Sequence, residues 1–112
     1  VGLIGTIFTM EKDYMKKPFA CAGIDVIIPK QTERQLIAER IYRELENGIV
    51  KESTLREFQQ IIERMRTDDG IEAIILGCTE LPLLLNNSNS PVPCLDSVDI
   101  HIERLIEMAM KD

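Results

Sequence analysis

The chain has a single histidine, three cysteines, and no apolar run long enough to span a membrane. His101 alone cannot build a histidine metal site or serve a Ser-His-Asp triad that has no other supporting signal. Cys21, Cys78 and Cys94 are odd in number and lack metal-ligand spacing, a usage that fits free thiols in a reducing, cytoplasmic setting. Basic residues are in the minority: 13 Lys and Arg against 19 Asp and Glu give a formal net charge of −6. A nucleic-acid face needs clustered cations, and the nearest cluster, Lys12, Lys16 and Lys17, is diluted by Glu11 and Asp13 into a solvated helix face. Neither G-x-x-x-x-G-K-[ST] nor G-x-G-x-x-G occurs, which leaves a nucleotide site poorly supported. There is no internal repeat, no low-complexity segment and no signal-peptide layout. The chain opens without an initiator Met, inside the apolar pattern Val1-Gly2-Leu3-Ile4. It is therefore expected to be a piece of a longer protein.

What is present is enough for one domain. The 112 residues are 45% hydrophobic and 29% charged, a composition that buries a core and argues against disorder. Val1 to Ile4 reads as a strand followed by a Gly5-Thr6 turn, with Thr9 placed to cap a helix from Met10 to about Phe19. Ile24 to Ile28 is rich in β-branched residues and reads as a second strand ended by Pro29. Thr32 to Gln35 and Thr54 to Glu57 each match a capping box. The helices they predict carry apolar stripes, Ile37, Ile41 and Leu45 in one, Leu55, Phe58, Ile62 and Met65 in the other. Asn47-Gly48 and Asp68-Asp69-Gly70 supply the stops. A strand ending at Gly77, a short helix from about Glu80 to Leu85, a polar loop from Asn86 to Ser90 and an edge strand from Val92 to Leu95 follow. Asp96 or Ser97 would then cap a final helix holding His101. This alternation predicts a four-stranded parallel sheet in a flavodoxin-like α/β lobe, with helices on both faces.

The centre of the chain is Gly70 to Pro82. Ala73 to Leu76 is apolar without alternation and stops at Gly77, the signature of a strand buried on both faces. Open α/β sheets bind ligands just past the carboxyl ends of their strands, and Cys78, Thr79 and Glu80 stand there. A cysteine at a helix start would have its thiolate favoured by backbone N–H groups and the helix dipole. Such a thiolate serves as a nucleophile or as a base towards a carbon acid. The bland alternative, a small buried filler, is about as common for free cysteine. Thr6 and Thr9 stand past the first strand, where hydroxyls and free N–H groups suit a carboxylate or phosphate. Lys51, between two amphipathic helices, reads as a solvated lysine or as a point charge for a substrate carboxylate. Cys21 and Cys94 read as packing residues.

Three motifs together, VGLIGTIFTM at the start, GCTELP in the middle and Asp96-Ser97 with His101 near the end, resemble the aspartate/glutamate racemase family over essentially the whole chain. Glu80, where glutamate racemases usually carry histidine, is similar to the aspartate-racemase branch. The resemblance implies cofactor-independent interconversion of L- and D-acidic amino acids by two thiols on opposite faces of the substrate. It makes Cys78 one of the pair and Thr79 and Glu80 its neighbours. Thr6, Thr9, Met10 and Lys51 become contacts for the substrate. It also implies that residues 1–112 are the second of two similar lobes. The first lobe would carry the other cysteine, the full protein would be a homodimer, and this half alone would be inactive. A related maleate isomerase, hydantoin racemase or decarboxylase, and a non-catalytic dicarboxylate-binding or interaction module, are the competing expectations.

Overall fold

The computed structural model describes residues 1–12 and 16–96. Three short parallel strands form its sheet: β1 (Gly2–Ile4), β2 (Ile74–Leu76) and β3 (Cys94–Asp96), in that spatial order. Gly2 lies opposite Ile74 and Ile4 opposite Leu76, while Ile74 faces Cys94 and Leu76 faces Asp96. The unbroken apolar run is the middle strand of the three, and the proline-flanked segment is an edge, as the sequence predicts for that segment.

The expected fourth strand over Ile24 to Ile28 does not form. Ile27 makes one isolated bridge to Gly2, donating its N–H to the Val1 carbonyl and accepting from the Leu3 N–H. The next rung of a parallel ladder would take its donor from residue 29. That residue is proline and has no N–H, so the pairing ends after one bridge.

The helices are α1 (Ile7–Glu11), α2 (Lys16–Cys21), α3 (Gln31–Arg43) and α4 (Glu52–Arg64). Three of their starts differ from expectation. Helix α1 begins at Ile7 rather than Met10 and ends at Glu11, with α2 separate from it, in place of the one expected helix to about Phe19. Residue Lys30 precedes α3, and Glu33 accepts its backbone N–H at 2.9 Å, so the helix begins before Thr32. Helix α4 begins at Glu52, which places Thr54 inside the first turn rather than at the cap. The stops hold: Gly48 and Gly70 take φ of +73° and +72°, a conformation that only glycine adopts without strain.

Alternation along the strands divides the core. Ile4, Ile74 and Leu76 pack with Ile37, Ile41, Phe58 and Ile62 of α3 and α4, while Leu3, Ile75 and Leu95 pack with Phe19 of α2 on the other side. Helices α3 and α4 run antiparallel. Arg64 at the end of α4 bonds Glu33 at the start of α3 at 2.7 Å, and Arg40 bonds Glu57 at 3.0 Å. The end of α4 points to the amino end of the sheet, because a Cβ on Gly2 would lie 3.2 Å from the Met65 methyl and 3.0 Å from Ile71. A thirteen-residue helix is about 20 Å long. Its start, at Lys51, therefore lies about 20 Å from that end. No described helix is long and apolar enough to cross a membrane.

Candidate active site

Two strand ends meet at the carboxyl edge. At the end of β1, Thr6 caps α1: its Oγ1 accepts the Thr9 N–H at 3.2 Å, and its hydroxyl donates to the Thr9 Oγ1 at 3.1 Å. The cap is thus Thr6, three residues before the expected Thr9, and Thr9 is 4% exposed. At the end of β2, the Gly77 N–H donates to the Ile4 carbonyl at 2.9 Å, which carries the pairing one residue further. A Cβ on Gly77 would stand 2.7 Å from the Thr9 methyl and 3.1 Å from the Ile4 oxygen. Glycine is required there, and its absence of side chain lets the threonine turn close against the peptide that leads into Cys78.

Cys78 is buried, with 8% of its surface exposed. Its thiol donates to Oε2 of Glu80 at 3.0 Å. Burial, and then the hydrogen bond and charge of Glu80, push the thiol pKa up to about 11. The hydrogen bonds from Cys78 and then Thr79 hold the Glu80 carboxyl below its usual range. At neutral pH the pair is a neutral thiol against an ionised carboxylate. This corrects the expectation of a thiolate favoured by a helix dipole. The chain after Glu80 makes only a three-residue 3₁₀ turn, Leu81–Leu83, in place of the expected helix to Leu85. A turn that short has no appreciable macrodipole.

Cys78, Thr79 and Glu80 therefore stand together, and the Gly77–Thr9 contact brings the Thr6 turn beside them. Met10 is fully buried in the α3–α4 core and has no surface to offer a ligand, which corrects its place among the substrate contacts. Lys51 is exposed at the cap of α4 and lines a cleft of about 350 Å³ with Arg40, Glu44, Ser53, Thr54 and Glu57. Asp96 ends β3 opposite Leu76. Ser97, His101 and the expected last helix lie outside the described residues. Cys94 is half-buried against the α3–α4 core, and Cys21 is exposed at the end of α2. A wider cleft of about 790 Å³, between α4 and residues 88–91, does not include Cys78. Among the described residues no three His, Cys, Asp or Glu side chains converge as a metal site. The buried Glu44–Thr54 contact was not legible beforehand, since a glutamate ten residues before a threonine is no motif.

Comparison with known proteins places the fold in a family. The Asp/Glu/hydantoin racemase family matches residues 1–105. An aspartate racemase homologue from Pyrococcus horikoshii OT3 superimposes with a TM-score of 0.84 and 37% identity, over 97% of this chain and 47% of that one. The aspartate racemase of Picrophilus torridus has the same fold, with a TM-score of 0.71 and 21% identity over 97% of this chain and 44% of that one. An uncharacterised protein from the pnlA 3′ region of Pectobacterium carotovorum subsp. carotovorum is 29% identical over 109 residues, covering 96% of this chain and 71% of its own. The chain spans a little under half the length of these solved structures.

Proposed function

The chain belongs to the Asp/Glu/hydantoin racemase family, and from that premise we propose that it supplies one of two thiols that racemise an acidic amino acid, aspartate or glutamate, without a cofactor. The observation that carries this reading is the Cys78 thiol, 3.0 Å from the Glu80 carboxylate at the end of the central strand.

The Cα–H of an amino acid is a very weak acid, so the base must be strong and water excluded. A buried thiolate beside a carboxylate is a strong base, because burial and the neighbouring charge both favour its protonated form. In one direction the neutral Cys78 thiol delivers its proton to the Cα carbanion and becomes a thiolate. In the other, the thiolate takes the Cα proton and returns to the neutral thiol. Glu80 accepts the thiol hydrogen bond, keeping S–H oriented and its proton available. Thr79 steadies that carboxylate. Thr6 and the α1 N–H groups hold a substrate carboxylate, and Lys51 contacts the second one. The opposite thiol comes from a partner lobe, in a protein that is homodimeric. The 112-residue chain alone is accordingly inactive. Three free cysteines suit a reducing, cytoplasmic compartment.

The test is Cα deuterium exchange of L- and D-aspartate in D2O by the full-length protein, with and without Cys78→Ser. Loss of racemisation in the variant is the expected result. Unchanged exchange of both enantiomers would remove Cys78 from the reaction.

A further inference from the structure

We infer that Glu44 is a positioning residue: it fixes the turn between α3 and α4, and through it the place of the Lys51 ammonium. The inference rests on the reading of Lys51 as a substrate-carboxylate contact.

Residues 46–53 of this turn are all exposed, Ile49 and Val50 at 42% and 52%, so apolar burial does not hold it. The buried anchors at its two ends are Leu45, Glu44 and Thr54, the last two 8% and 1% exposed. Glu44 acts at both of its own ends. Its backbone carbonyl accepts the N–H of Asn47 at 3.1 Å and of Ile49 at 2.8 Å, which sets the first half of the turn. One carboxylate oxygen accepts the Thr54 hydroxyl, which ties down the first turn of α4 just past Lys51. The other lies 3.7 Å from Arg40, itself held by Glu57 at 3.0 and 3.3 Å.

A buried charge of this kind is a poor source of stability, because desolvation offsets most of the attraction. What the clamp does supply is a fixed geometry for an otherwise unburied turn. Arg40 and Lys51 both line the cleft between the helices. Arg40 is engaged by Glu39, Glu44 and Glu57, whereas Lys51 has no ion pair among the described residues. The cation left free for a ligand carboxylate is therefore the one whose position Glu44 and Thr54 determine.

The experiment measures KM and kcat for aspartate with the full-length protein carrying Thr54→Val, Thr54→Ser, Glu44→Gln and Lys51→Met, with Tm recorded for each. Thr54→Val is expected to raise KM on the order of tenfold, with kcat little changed. That is less than the hundredfold a 1 Å misplacement can cost. Glu44→Gln, whose amide oxygen still accepts the Thr54 hydroxyl, raises KM less. Thr54→Ser, which keeps the hydroxyl, restores the wild-type KM. In a Lys51→Met background Thr54→Val adds less than about twofold, since its effect passes through Lys51. An unchanged KM in Thr54→Val, or the same rise with and without Lys51, overturns the inference. An unchanged KM in Lys51→Met overturns it together with the Lys51 contact. The role of Cys78 is decided separately by deuterium exchange.

Discussion

The Sγ of Cys78 and the Oε2 of Glu80 are 3.0 Å apart, and the thiol is the donor. This is an acid held neutral by its base, so its reactivity should appear late on a pH scale. Burial is the larger cause of the raised pKa of about 11, and Glu80 the next. Removing the Glu80 charge should therefore lower the thiol pKa without returning it to an ordinary value. Alkylation by iodoacetamide, followed residue by residue by mass spectrometry, reads this directly. Exposed Cys21 should label first. Cys78 should label only as pH rises towards 11, and at lower pH in Glu80→Gln. A Cys78 profile that Glu80→Gln leaves in place would detach the carboxylate from the thiol.

Gly77 stands between the two strand ends, and the space for a side chain there is already occupied. A methyl would lie 2.7 Å from the Thr9 methyl and 3.1 Å from the Ile4 oxygen. Gly77→Ala should destabilise the fold by about 1–3 kcal/mol, the usual range for overpacking. Thr9→Ser removes the nearer obstacle but not the backbone oxygen, so the double variant should recover part of the loss. Urea unfolding of the three variants measures it. Full additivity of the two single changes would mean that Thr9 does not seat Gly77.

The central strand and the α3 and α4 stripes were legible in the sequence because burial on one or two faces imposes a period that composition records. Ile37, Ile41, Phe58 and Ile62 are all buried in one cluster, as their spacing predicts. Position in the sheet was less legible. Ile24 to Ile28 has the composition of a strand, yet the missing N–H of Pro29 stops its ladder after Ile27. The site was legible as far as Cys78, Thr79 and Glu80, which are adjacent in sequence. The protonation of Cys78 was not, because it depends on burial and on where a carboxylate points. Met10 shows the same limit: on a five-residue helix its side chain turns into the core, and sequence position beside Thr9 does not reveal that.

Glu33 and Arg64 join the start of α3 to the end of α4. Burial alone would raise the Glu33 carboxyl, but two bonds from Arg64, the Lys30 N–H and the nearby cations outweigh it, and the pKa lies below its usual value. A depressed carboxyl stabilises the fold at pH above its unfolded pKa, and that contribution fades as pH falls through the folded one. Arg64→Ala should cost about 1.5–3 kcal/mol at neutral pH, the range for hydrogen bonds to charged groups. Thermal unfolding should show wild type more stable than Glu33→Gln at pH 7, with the gap narrowing as the solution is taken to pH 3. A gap independent of pH would mean that the Glu33 charge does not support the helix pair.

Two thiols on opposite sides of a carbon acid divide the work by enantiomer, and that division is the most specific consequence of placing Cys78 in the reaction. Each enantiomer presents its Cα proton to the thiol on its own side and receives a proton from the other. Replacing Cys78 by serine leaves the opposite thiol able to remove and return a proton on its own face. In the full-length Cys78→Ser variant, racemisation should fall by about 10²–10⁴-fold, the usual contribution of a general acid or base. Deuterium should still enter one enantiomer of aspartate, with its configuration retained, while the other stays protonated. Chiral chromatography coupled to mass spectrometry separates the two outcomes. Equal residual exchange into both enantiomers would mean that one group serves both faces, and the two-thiol reading would fail even if Cys78 were essential.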